Sequence, residues 1–116
     1  FFKRQDADLL CEIPVDFVLA ALGGDIDVPS PDGKKLRISV PEGCQNQRQF
    51  RLKGKGMPVL QSRRFGDLFI EIHVEIPKDL NKKQRQLLKD FDKETSKNNS
   101  PESNKYISKL KKIFKN

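Results

Sequence analysis

The sequence predicts a mainly β fold: a small β-sandwich-like domain with one short helix, followed by a C-terminal α-helical tail. Three observations carry that prediction. Before residue 77, apolar residues alternate with a period of two in several short runs, as half-buried strands require. After Pro77 the apolar period becomes that of an amphipathic helix. Charge segregates at the same point. Residues 1–77 hold 11 Lys/Arg and 11 Asp/Glu, which cancel; residues 78–116 hold 12 and 5, and 12 − 5 = 7 is the whole net charge of +7. The boundary therefore falls between a β-domain, 1–77, and a helical region, 78–116.

The elements follow in order. Leu9, Cys11, Ile13 and Val15 alternate along one strand face. Asp16 can cap a short helix through Phe17-Val18-Leu19-Ala20-Ala21-Leu22, and Gly23-Gly24 stops it. Ile26 and Val28, then Leu36, Ile38 and Val40, alternate on either side of Ser30-Pro31-Asp32-Gly33. Proline there presets φ and glycine tolerates a positive one, so residues 24–40 read as a hairpin. Phe50-Arg51-Leu52 is a brief strand, and 54–66 reads as irregular and polar. The clearest strand covers 67–76: Leu68, Ile70, Ile72, Val74 and Ile76 face one way, Phe69, Glu71, His73 and Glu75 the other. Asn81 is the expected cap of a first tail helix with Leu87, Leu88 and Phe91 on one face. Residues 97–101 form a linker. Ser100 or Ser103 is the expected cap of a second helix, 102–115, striped by Tyr106, Ile107, Leu110, Ile113 and Phe114.

Composition bounds the function classes. With 116 residues, 35% hydrophobic and 34% charged, the core is small and part of the chain lies outside it. No 18-residue apolar run exists to cross a membrane. The opening Phe1-Phe2-Lys3-Arg4 has neither an initiator methionine nor a signal-peptide apolar region, so the sequence reads as a piece of a longer chain. Cys11 and Cys44 form no Cys-x-x-Cys pair, and one histidine cannot complete a zinc set with them, so two reduced thiols and no metal are expected.

Chemical motifs are sparse. Gly54-Lys55-Gly56 lacks the spacing and following hydroxyl of a phosphate-binding loop and reads as a bend. His73 lies between Glu71 and Glu75 on a polar strand face, with no further ligand identifiable, and reads as part of a solvated cross-strand pair. Residues 47–55 mix basic groups with the single aromatic Phe50, whereas a base-stacking platform uses several. No nucleophile–base pair or metal cluster points to an enzyme. A basic nucleic-acid or anionic-surface module, driven by the tail, is the rival reading.

Several of these segments together resemble the DnaJ family of heat-shock co-chaperones. The run Phe2-Lys3-Arg4-Gln5-Asp6-Ala7-Asp8-Leu9 is similar to that family's Phe-x-Arg-x-Gly-x-Asp-Leu, departing at Asp6, where the family's glycine would ease a tight positive-φ turn. Ala21-Leu22-Gly23-Gly24, Val28-Pro29 and Asp32-Gly33 resemble its hairpin entry. Val40-Pro41-Glu42-Gly43 and the run from Phe50 to Pro58 resemble its central loops, and Gly66-Asp67-Leu68 its final strand. No His-Pro-Asp tripeptide, Gly/Phe-rich segment or Cys-x-x-Cys-x-Gly-x-Gly repeat is present.

The resemblance implies the second of two similar client-binding β-domains plus a dimerisation region. It implies a cytoplasmic, non-enzymatic homodimer that holds unfolded polypeptides and serves a DnaK-type partner through a J-domain outside this chain. It implies no cofactor here, zinc belonging to the absent cysteine-rich region, and no membrane or nucleic-acid partner. Client contacts are expected at Ile13, Val15, Phe17 and Phe50, through a shallow groove or by strand addition at a sheet edge. The dimer interface is expected at Leu87, Leu88, Phe91, Tyr106, Ile107, Leu110, Ile113 and Phe114. An isolated helix this short is marginal in water, so the second stripe must pack on something, and a second subunit is the economical partner.

Overall fold

The computed structural model describes residues 1–115 and divides into two compact units, Phe1–Pro77 and Lys78–Asn116. The first unit contains strands β1 (Phe2–Gln5) and β2 (Asp8–Asp16), helix α1 (Phe17–Leu22), and strands β3 (Gly24–Pro29), β4 (Lys35–Val40), β5 (Gln49–Leu52) and β6 (Leu68–Glu75). The second contains α2 (Lys82–Glu94) and α3 (Pro101–Ile113).

Six strands form two sheets. One has four strands in the order β1-β2-β6-β5; the other is the β3-β4 hairpin. The pair at the centre of the larger sheet, β2 and β6, is parallel, with Leu9 opposite Leu68, Cys11 opposite Ile70 and Ile13 opposite Ile72. This register puts alternate residues of both strands on one face, and those residues make the core. Leu9, Cys11 and Val15 of β2 pack with Leu68, Ile70 and Ile72 of β6, Val28 of β3, and Ile38 and Val40 of β4. Ala20 of α1 and Cys44 of the β4–β5 loop close the cluster. The mainly β, sandwich-like expectation thus holds, with helices after it.

The short helix forms for the reason the sequence suggests. Asp16 Oδ1 accepts the Leu19 N–H at 2.9 Å, and Gly23, at φ 81°, returns its own N–H to the Leu19 carbonyl at 2.7 Å. A Cβ at position 23 would meet the Glu42 nitrogen and Val40 oxygen at 3.0 Å, so this position admits only glycine without strain.

Several details differ from the sequence reading. The entry run forms a strand, β1, antiparallel to β2. The β1–β2 turn persists without glycine: Asp6 adopts φ 55°, and Arg4 Nε donates to its carbonyl at 2.7 Å. Aspartate tolerates this left-handed backbone better than most residues. The segment 54–66 is not wholly irregular. Pro58 bridges Phe65, the Gly56 N–H donates to the Gly66 carbonyl, the Gly66 N–H donates to the Met57 carbonyl, and the Met57 N–H reaches the Ala7 carbonyl, each bond at 2.8 Å. β6 stops at Glu75, so Ile76 leaves the strand and is 68% exposed.

In the tail, α2 starts with a full capping box. Asn81 Oδ1 accepts the Gln84 N–H at 2.8 Å, and Gln84 Oε1 accepts the Asn81 N–H at 2.9 Å. α3 starts one residue earlier than expected, with Pro101 as its first residue rather than the end of a linker. Ser100 is the N-cap residue but makes no side-chain cap bond. Asn104 Nδ2 instead donates to the Lys97 and Ser100 carbonyls, at 3.1 and 3.0 Å, and fastens the preceding turn to the helix. Proline at the first position loses only an N–H that had no helical partner.

Candidate functional site

The four residues expected to touch clients are placed close to the β-domain core. Val15 is buried, and Ile13 and Phe50 are half-buried against the core cluster. Ile13 lies opposite Ile72 and Phe50 opposite Ile70, so both flank the same central strand. Phe17, the first residue of α1, is half-buried. Next to Phe17 in α1, Val18 is 50% and Leu22 68% exposed. The sequence reading passed over Val18 and Leu22; a six-residue helix with one buried position, Ala20, necessarily turns other apolar residues outward.

β1 and β5 are the edges of the larger sheet, so each presents an unpaired row of backbone groups on one side. A shallow cleft of about 270 Å³ between β4 and β5 is lined by Leu36, Ile38 and Leu52 with Arg37, Arg51 and Lys53 at its rim.

The Gly54-Lys55-Gly56 bend is held from below by Asp67. Its Oδ1 accepts the Gly54 N–H at 2.9 Å and its Oδ2 accepts Arg51 Nε at 2.6 Å. The Gly54 amide and then the Arg51 guanidinium keep the Asp67 carboxyl below its ordinary range. With the Gly54 amide already occupied by a carboxylate, this loop does not form a phosphate cradle. A Cβ at Gly56 would meet the Ala7 oxygen at 2.6 Å and the Asp67 oxygen at 2.7 Å, which explains the second glycine by close backbone approach. Phe50 likewise gives little to a base: the Arg48 guanidinium lies over its ring, 5.0 Å from the centroid.

The outer face of the larger sheet carries an arrangement the sequence reading missed. His73 Nε2 is 2.7 Å from Glu71 Oε2 and 3.9 Å from Glu12 Oε2. Glu12 was invisible as a neighbour in sequence because it comes from a different strand, 59 residues before Glu71, by the parallel register that sets Glu12 opposite Glu71. Glu75, the neighbour the sequence suggests, is not among these groups. Glu71 Oε1 accepts Gln49 Nε2 at 2.9 Å, and that bond, then the one with His73, holds the Glu71 carboxyl below its usual range.

Except for Phe114, the C-cap just past α3, the expected interface residues lie on two helices in which no residue is buried. Phe91 is 64%, Tyr106 64%, Ile113 73% and Phe114 75% exposed; Leu88 is half-buried. Leu87, Ile107 and Leu110 are also exposed, Leu110 least at 37%. Cys11 and Cys44 are both free thiols, and both are buried; burial pushes the Cys11 thiol up. Among the described residues, no helix is long and apolar enough to cross a membrane.

Comparison with known proteins agrees with this architecture. The family model of the DnaJ C terminal domain matches residues 1–77. Over 114 residues, 98% of this chain, it is 53% identical to the chaperone protein DnaJ of Allorhizobium ampelinum and 52% identical to that of Agrobacterium fabrum. It is 51% identical to the chaperone protein DnaJ of Brucella canis over the same length. The chain belongs to the DnaJ C-terminal domain family. It spans 30% of the length of these relatives, and the likeness runs through the tail helices as well as the β-domain.

Proposed function

We propose that this chain is the client-holding and dimerising portion of a cytoplasmic DnaJ-type co-chaperone working with a DnaK-type partner. The observation that carries the reading is the likeness to chaperone proteins DnaJ over 98% of the chain, β-domain and tail together. The β-domain holds unfolded segments by apolar contact and by strand addition at an open sheet edge. Val18 and Leu22 of α1 offer exposed apolar side chains, with the half-buried Phe17 beside them; Ile13, Val15 and Phe50 are the further client contacts of this reading. The tail joins two such domains through Leu87, Leu88 and Phe91 of α2, Tyr106, Ile107, Leu110 and Ile113 of α3, and Phe114 at its C-cap. Linking two weak client sites raises avidity without any new contact. The role requires no catalysis and no cofactor bound to this segment.

The test is suppression of aggregation of a denatured client protein. The chain should slow aggregation at stoichiometric concentration and should do so equally at low and moderate salt. A Val18→Ser, Leu22→Ser double variant should protect less while keeping its fold. Protection that disappears between about 50 and 200 mM salt would instead indicate binding through the basic tail, the behaviour of phosphate contacts. The chain alone should leave the ATPase of a DnaK-type partner unstimulated, because it has no His-Pro-Asp element.

A further inference from the structure

We propose that Glu12, Glu71 and His73 form a site for one divalent transition-metal ion of the zinc type on the outer face of the four-stranded sheet. One donor atom from each of the three side chains lies within 4.8 Å of the other two. The backbone places them there. β2 and β6 run parallel in register, Glu12 opposite Glu71 and Pro14 opposite His73, so all three side chains leave the same sheet face. Cys11 and Ile72, one residue away on either strand, point into the core and take no part.

The spacing suits an ion. Bonds of about 2.0–2.2 Å in tetrahedral array put donors about 3.4 Å apart. The 3.9 Å from His73 Nε2 to Glu12 Oε2 needs to close slightly, and the 2.7 Å to Glu71 Oε2 needs to open slightly. Both shifts are within side-chain rotation on a fixed sheet. Donors outside the cluster already orient it: Lys3 Nζ holds Glu12 Oε1 at 3.0 Å, and Gln49 Nε2 holds Glu71 Oε1 at 2.9 Å. Each carboxylate thus turns its second oxygen toward the imidazole, the arrangement by which outer hydrogen bonds fix metal ligands.

Exposure leaves room for the ion to enter and to keep water in its open position. The side chains of Glu12 and His73 are 39% and 41% exposed, that of Glu71 17%. One imidazole with two carboxylates selects borderline ions such as zinc over magnesium or calcium, which take oxygen alone. Two carboxylates balance the charge of the ion. The Lys3 ammonium opposes it and keeps the affinity moderate.

The test is calorimetric titration of the full chain with Zn²⁺, alongside ¹⁵N-edited spectra of the imidazole. One ion should bind per chain and shift the His73 ring nitrogens. His73→Gln and Glu12→Gln should each weaken binding at least about tenfold, and Gln49→Ala should weaken it as loss of an outer hydrogen bond does. Glu42→Gln, in the β4–β5 loop outside the cluster, should change nothing. Circular dichroism should show all four variants folded. The proposal is overturned if no saturable binding occurs below ~1 mM Zn²⁺, if binding persists in His73→Gln, or if equal Mg²⁺ displaces the ion.

Discussion

Asp67 does more for the β-domain than its place before the strand suggests. Its carboxylate accepts from Gly54 and Arg51, its N–H donates to Asp8 Oδ1 at 2.7 Å, and its carbonyl accepts the Leu9 N–H at 2.9 Å. One residue therefore ties the central loop to both middle strands. Asp67 and Glu71 are both depressed in the folded state. Such carboxylates contribute stability that is present above the unfolded pKa and is lost as pH falls through the lower folded one. Denaturation followed by circular dichroism should thus show stability falling as pH drops below the ordinary carboxylate range. Asp67→Asn should flatten that fall; an unchanged pH profile would remove Asp67 from the account. Core residues act through volume instead. Ile72→Ala, at a fully buried position, should cost about 2–5 kcal/mol, whereas Glu71→Ala, on the solvent-facing side of the same strand, should cost far less. Cys11→Ser should cost about 1–3 kcal/mol if the new hydroxyl finds no partner. Cys44 is nearly as buried, at 4% exposure, so serine there should not be neutral, contrary to what a loop position suggests.

At the scale of elements, what could be read from sequence depended on whether the signal was local. Alternation located β2, β3, β4 and β6, and Asp16 with Gly23 bounded α1, because periodicity and capping act within one segment. β1 escaped, since Phe2-Lys3-Arg4-Gln5 has no alternation and forms a strand only by pairing with β2. The cluster of Glu12, Glu71 and His73 escaped for the same reason: it depends on which strands are neighbours and in what register. Exposure of Val18 and Leu22 depended on which face of a very short helix meets the core. The tail helices show their local logic clearly. Asn81→Ala breaks the capping box of α2 and should cost about 0.5–2 kcal/mol of helix stability, readable as lost helicity and earlier melting. Ser100→Ala should be nearly silent, because that side chain makes no cap bond, while Asn104→Ala should fray the start of α3.

For the whole molecule, two units divide the work: a β-domain with its own core, and a tail in which none of the described residues is buried. Two helices with apolar stripes and no buried position need a partner surface, and the proposed partner is the tail of a second copy. Leu110, the least exposed of the α3 stripe, is the residue whose change to aspartate would place a charge in that seam at the greatest cost. Sedimentation equilibrium of the intact chain measures this claim most directly. The account predicts a mass of 26.6 kDa, twice the 13.3 kDa of one chain, falling to 13.3 kDa in Leu110→Asp with the β-domain still folded. An intact chain that remains at 13.3 kDa at ~100 μM, a concentration at which micromolar association is nearly complete, would contradict it.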